Sequence, residues 1–152
     1  MVLLYQNTIM ADFFNVSDAT RLALHAAFLL ARSQKPLTIG TIARVLGVSS
    51  AHLAKVLARL EQSAIVEGKP GPKGGYRLAR AADRISLLEI YEAISGPLQI
   101  DSCPLAVPVC SGNACPLGLF FRQLNRTVRT EMQKKTLQDV EINFRRKCEQ
   151  CP

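Results

Sequence analysis

The segment TIGTIARVLGVSSAHLAKVLARL, Thr38–Leu60, carries two short helical periodicities separated by one glycine. Ile42, Ala43 and Leu46 share one face of the first helix, which follows Thr38. Leu53, Val56, Leu57 and Leu60 share one face of the second. Gly47 permits the tight turn between them, and Ser49 can cap the second helix. Two helices joined in this way form a helix-turn-helix, whose second helix enters the major groove with its N-terminal residues leading.

The residues immediately C-terminal to this segment agree with a helix-turn-helix. Ile65-Val66 and Tyr76-Arg77-Leu78 are short strand candidates flanking Glu67–Gly75, a stretch rich in Gly, Pro and Lys. A glycine-rich hairpin directly after a recognition helix reads as a wing, with Lys69, Lys73 and Arg77 offering charge to phosphates or the minor groove. The chain's net charge of +7 is concentrated here: residues 35–84 carry nine Lys/Arg against three acids, a net of +6. Residues 1–34 balance, 85–115 are net −3 and 116–152 net +4. The positive block is the footprint of a polyanion binder.

On the N-terminal side, Ala19, Leu22, Ala23, Ala26, Leu29 and Leu30 predict a helix over Ser17–Ser33, capped by Ser17 or Asp18. Residues 1–10 carry no periodic pattern, and Met10 is an alternative start. On the C-terminal side, Ser86-Leu87-Leu88-Glu89 is a capping box opening a helix that ends at Gly96-Pro97. A loop over Asp101–Cys115 then holds Cys103, Cys110 and Cys115. Pro116 suits the first turn of a long helix striped by Leu117, Phe120, Phe121, Leu124 and Val128. Such a stripe predicts packing against a second copy. Thr136 reads as the cap of a last helix carrying Leu137, Val140 and Phe144.

At 152 residues and 48% hydrophobic content, the chain fits one domain, or a small domain with a helical arm. No window is apolar enough to span a membrane, and Met1–Met10 lacks the features of a signal peptide. A cytoplasmic setting is expected, with the five cysteines as thiols, ligands or redox sensors rather than disulfides. The expected organisation is an extension over 1–13 and a winged helix-turn-helix over 14–96. A cysteine loop over 97–115, dimerisation helices over 116–146 and a tail over 147–152 complete it. The fold class is mainly α, with a small β-hairpin wing.

Three thiols in thirteen residues, at x6 and x4 spacing, make a soft donor set for an iron–sulfur cluster, with zinc or unliganded thiols as alternatives. Cys148 and Cys151 form a separate CxxC in the tail. For DNA, Ser49, Ser50, Ala51, His52 and Lys55 lie at the leading end or exposed side of the recognition helix, and Arg59 suits the backbone. Arg44 reads as a solvated face residue.

Over residues 14–142 the chain resembles the bacterial IscR/NsrR family of winged-helix transcription regulators, the Rrf-two family. The most specific stretches are Gly47-Val48-Ser49 with His52-Leu53 and the Leu57/Leu60 pair, then Gly74-Gly75-Tyr76-Arg77-Leu78-Ala79. The three-cysteine loop and Thr136-Leu137 come after them in order. The resemblance implies a homodimer whose long helices cross, placing two winged helices on a palindromic double-stranded DNA operator. It also implies that the loop holds a 4Fe–4S or 2Fe–2S cluster that changes DNA affinity.

The chain departs from the family at several places. Pro70 stands where family wings carry Arg, and His52 where Tyr is common. Gly118 stands where some relatives place a His ligand, and Arg21 where others place a carboxylate. His25 aligns with a His that some relatives use, so His25 and then Asp18 are the candidate fourth ligands. An open iron position is the remaining option.

A redox or metal carrier docking an acidic protein partner is the competing expectation. No Ser/His/Asp triad, paired carboxylates or phosphate loop supports an enzyme, and Gly71–Gly75 lacks the Lys-Ser/Thr ending of a P-loop.

Overall fold

A computed structural model of the chain describes residues 16–71, 74–98, 115–141 and 144. Helix α1 (Asp18–Arg32) leads, followed by α2 (Ile39–Leu46) and α3 (Ser50–Gln62). Strands β1 (Val66–Lys69) and β2 (Gly75–Leu78) form an antiparallel hairpin, with Glu67 opposite Arg77 and Gly68 opposite Tyr76. A 3₁₀ turn at Ala82–Arg84, α4 (Leu87–Ser95) and α5 (Pro116–Lys134) complete the order.

The helix starts obey the local chemistry expected of them. Ser17, Thr38 and Ser49 each accept a backbone N–H three residues on, so hydroxyls cap all three N-terminal helices. Ser17, not Asp18, caps α1. Gly47 closes α2 in the left-handed region at φ 72°, which sets the turn into α3. At α4 the capping box is complete: Ser86 N–H donates to Glu89 Oε2 at 2.8 Å, and Glu89 N–H to Ser86 Oγ at 3.2 Å.

One core joins α1, α2, α3, the wing base and α4. Leu29, Leu37, Ile42, Leu53, Leu57, Leu60, Ile65 and Ile90 are fully buried in it. Side chains of this kind contribute about 1.5–3 kcal/mol each when removed from water. Ala23, Ala26 and Ala27 of α1 have no exposure at all, and α4 is among the elements that pack on this helix. Buried Thr20 extends that contact, with Oγ1 2.7 Å from Ser95 Oγ across the two helices.

The wing has a third strand one residue long. Leu37 N–H donates to Tyr76 O at 2.9 Å and Tyr76 N–H returns to Leu37 O at 2.8 Å. Gly75, at φ 146°, is required by this approach: a Cβ there would stand 2.7 Å from Leu37 O.

A smaller cluster lies apart from the main core. Leu88, Tyr91 and Leu98 are buried there against Val128 and Met132 of α5.

The chain after α5 departs from expectation. Thr136 does not open a last helix; it pairs with Ser86 in an isolated antiparallel bridge. Leu87 N–H donates to Lys135 O at 2.9 Å and Leu137 N–H to Ile85 O at 3.0 Å. Thr136 N–H and hydroxyl both reach Asp139 Oδ2 at 2.8 Å, so half a cap forms but only one turn follows it. The backbone is already committed to Ile85–Leu87. Leu137, Val140 and Phe144 still reach the main core, so their spacing reported burial rather than a helix.

Candidate nucleic-acid interface

Helix α3 buries Leu53, Val56, Leu57 and Leu60 and turns the rest outward. Ser49, Ser50, Ala51, His52, Lys55 and Arg59 are all exposed, on one continuous surface beginning at the helix N-terminus. Ser49 spends its Oγ on the cap, accepting from His52 N–H at 3.2 Å. Ser50, Ala51, His52 and Lys55 are therefore the side chains presented at the leading end.

Lys69 ends β1 and is exposed, adding a wing cation to those of α3. Arg77 is exposed but ion-paired with Glu67, its cross-strand neighbour. This pairing, which the sequence did not signal, neutralises part of the wing. Lys73 lies outside the described residues.

Two further residues hold the reading head together. Glu61 Oε1, from the last turn of α3, accepts Gly68 N–H of β1 at 2.9 Å. Arg80, just past β2, donates to Ala64 O at 3.2 Å, Arg84 O at 3.3 Å and Glu89 Oε1 at 3.0 Å. One guanidinium thus joins the end of α3, the 3₁₀ turn and the cap of α4. Neither role has a local sequence signature, because the partners lie several residues away across turns.

Beside the N-terminus of α3 lies an open groove of about 560 Å³, lined by Asp18, Arg21 and His25 of α1 together with Ser49 and His52. Asp18 pairs with Arg21, and first the hydrogen bond and then the charge of Arg21 hold its carboxyl below the ordinary value. His25 is exposed and its Nδ1 lies 2.7 Å from Arg21 O, which directs the Nδ1 proton there and leaves Nε2 as the nitrogen able to accept or coordinate.

Cys115 is the N-cap residue of α5 and is partly buried; its carbonyl accepts Leu119 N–H at 3.0 Å. Cys103, Cys110, Cys148 and Cys151 lie outside the described residues. Among the described residues no group of three or more His, Cys, Asp or Glu is placed to hold a metal ion. The stripe on α5 divides. Leu117 and Phe120 are exposed, joined by Leu119, whereas Val128 packs against α4.

A family model described as "Rrf2: Iron-dependent Transcriptional regulator" matches residues 16–141. The chain belongs to the Rrf2 family. It is 25% identical over 130 residues to the HTH-type transcriptional regulator IscR of Xenorhabdus nematophila, covering 86% of this chain and 76% of that one. Its fold is similar to CymR (YrzC), the global cysteine regulator of B. subtilis, with a TM-score of 0.71 and 25% identity over 82% of this chain and 93% of that one. T. potens IscR shares the fold at a TM-score of 0.67 and 21% identity, covering 85% of this chain and 87% of that one. Family and fold make this Rrf2 chain a winged-helix transcription regulator rather than an enzyme. No helix among the described residues is long and apolar enough to cross a membrane.

Proposed function

We propose that this Rrf2 regulator is a homodimer on a palindromic operator, with an affinity set by an iron–sulfur cluster held by Cys103, Cys110 and Cys115. The observation that carries the reading is the position of Cys115. It stands at the N-cap position of α5, and the chain leaving the far end of that helix is bridged to Ser86, in the capping box of α4. A change at Cys115 is therefore one helix away from the joint that supports the reading head.

The donor chemistry fits: three thiolates suit iron, and the x6 and x4 spacing leaves room to wrap an object larger than a single ion. When bound, the cluster supplies an iron–thiolate group open to oxidation, nitrosylation or loss. His25 is the stronger fourth-ligand candidate, because the Asp18 carboxylate is engaged by Arg21. Ser50 and Ala51 face the base edges of the major groove, His52, Lys55, Arg59 and Ser49 meet the backbone, and Lys69, Lys73 and Arg77 supply the wing's charge. Exposed Leu117, Leu119 and Phe120 are the surface for a second copy, which would space half-sites about one helical turn apart.

Anaerobic purification, visible absorption and iron and sulfide analysis test the cluster. Coloured, iron-bearing protein is expected, and Cys103→Ala, Cys110→Ala and Cys115→Ala should each abolish the colour. Cys148→Ala and Cys151→Ala should keep it. Colourless, iron-free protein from cells competent in cluster assembly would overturn the cluster reading, and stoichiometric zinc would reassign the thiols. Failure to retard any bacterial promoter duplex would overturn the operator reading.

A further inference from the structure

Two contacts of different kinds help hold the wing. On one side, β2 is paired backbone to backbone with Leu37. On the other, β1 is held to the recognition helix through a side chain, where Glu61 Oε1 receives Gly68 N–H at 2.9 Å. The approach is close. A Cβ on Gly68 would stand 3.2 Å from that carboxylate oxygen and 3.3 Å from the Tyr76 ring. Glu61, Gly68, Lys69, Pro70, Gly75 and Tyr76 together line a hollow of about 300 Å³ between helix and wing.

An acid here is electrostatically costly for a DNA binder. Glu61 is exposed and lies in a block of net charge +6, where a carboxylate repels phosphate. Its geometric role offsets that repulsion. We propose that Glu61 is a positioning residue, fixing the angle between recognition helix and wing so that Lys69 reaches phosphates while α3 sits in the groove.

The proposal rests on the DNA-binding reading and makes a sign prediction that charge alone does not. If Glu61 acted only through its charge, every neutral replacement would tighten binding. If it positions the wing, Glu61→Gln, which keeps a carbonyl acceptor, binds at least as tightly as wild type. Glu61→Ala loses the acceptor and binds about three- to tenfold more weakly than Glu61→Gln, the scale of one net hydrogen bond. Its salt dependence should also fall by about 0.9 in log–log slope for each phosphate the wing no longer reaches.

The experiment is a salt-dependent titration of the full chain against a duplex recovered from a randomised pool by the wild-type protein. Hydrogen exchange at Gly68 and thermal melting of each variant accompany it. Faster exchange at Gly68 in Glu61→Ala alone, with weaker binding and a shallower slope, is the expected result. Equal affinity and slope in the Ala and Gln variants would overturn the proposal and leave the DNA reading intact. Recovery of no duplex by wild-type protein would instead remove the DNA reading on which the proposal stands.

Discussion

Glu92 and Arg129 join α4 to α5 through one carboxylate oxygen: Glu92 Oε1 lies 2.7 Å from Arg129 Nη1 and also accepts Leu98 N–H at 3.1 Å. The same oxygen thus fixes both the long helix and the point where the chain leaves α4 toward the cysteines. Leu98 is buried at this joint with Leu88 and Tyr91.

Truncating the two partners should have unequal effects. Glu92→Ala strands a partly buried backbone N–H as well as the guanidinium, and should cost about 1–2 kcal/mol. Arg129 is half exposed, so Arg129→Ala should cost less than about 1 kcal/mol. Urea unfolding of both variants checks the order, and equal losses would show that the Leu98 bond contributes nothing.

Ala64 is the position where α3 fits its own sequence least well. The helix ends in a Schellman arrangement, with Ile65 N–H on Leu60 O and Ala64 N–H on Glu61 O, both at 2.9 Å. The arrangement puts Ala64 at φ 51°, in the left-handed region that favours glycine. Ala64→Gly relieves this strain, less the extra freedom glycine has when unfolded, for a gain of about 0.5–1 kcal/mol. The melting temperature should rise by a few degrees, with no change in the unfolding m-value.

These two joints show what the sequence could and could not convey. Ser49, Gly47 and the Ser86/Glu89 box act on neighbours three or four residues away, so residue type and spacing announce them. The exposed row from Ser50 to Lys55 is legible for the same reason, as the complement of the buried Leu53/Val56/Leu57/Leu60 face. Glu61 to Gly68, Glu92 to Arg129 and Leu37 to Tyr76 join parts of the chain that only the finished fold brings together. Thr136 is the instructive case. Its hydroxyl with Asp139 three residues on has the form of a helix start, yet pairing with Ile85–Leu87 takes the backbone before a helix can propagate. The three-cysteine loop remains a reading of the sequence, since of its thiols only Cys115 is among the described residues. The pairing of Arg77 with Glu67 was invisible until the strand register was known.

The α4 cap should give stability an acid limb. Burial raises the Glu89 carboxyl most as a single cause, but hydrogen bonds from Ser86 N–H, Arg80 and the Ser86 hydroxyl, with the Arg80 charge, together outweigh it. Its folded value lies below the ordinary 4.5. A depressed folded value means the stabilisation is fully present above pH 4.5 and is lost as pH falls through the lower folded value. Glu89→Gln should therefore be less stable than wild type at neutral pH, with the gap closing in acid. Urea midpoints measured from about pH 7 down to about pH 3 should converge; a constant gap would mean that the carboxyl is not perturbed by folding.

The wing's internal ion pair predicts which cations matter for DNA. Lys55 is exposed on α3, whereas Arg77 shares its charge with Glu67. Lys55→Ala should weaken binding across sequences and lower the log–log salt slope by about 0.9, the signature of one phosphate left unneutralised. Arg77→Ala should cost less, because Glu67 already competes with phosphate for the guanidinium. Glu67→Gln separates the two effects. It frees Arg77, so binding should tighten and the salt slope steepen, and in that background Arg77→Ala should become as costly as Lys55→Ala. Titration of one duplex at several salt concentrations with all four variants tests this order. If Glu67→Gln left both affinity and slope unchanged, Arg77 would lie away from the DNA, and the wing's grip on phosphate would fall to its lysines.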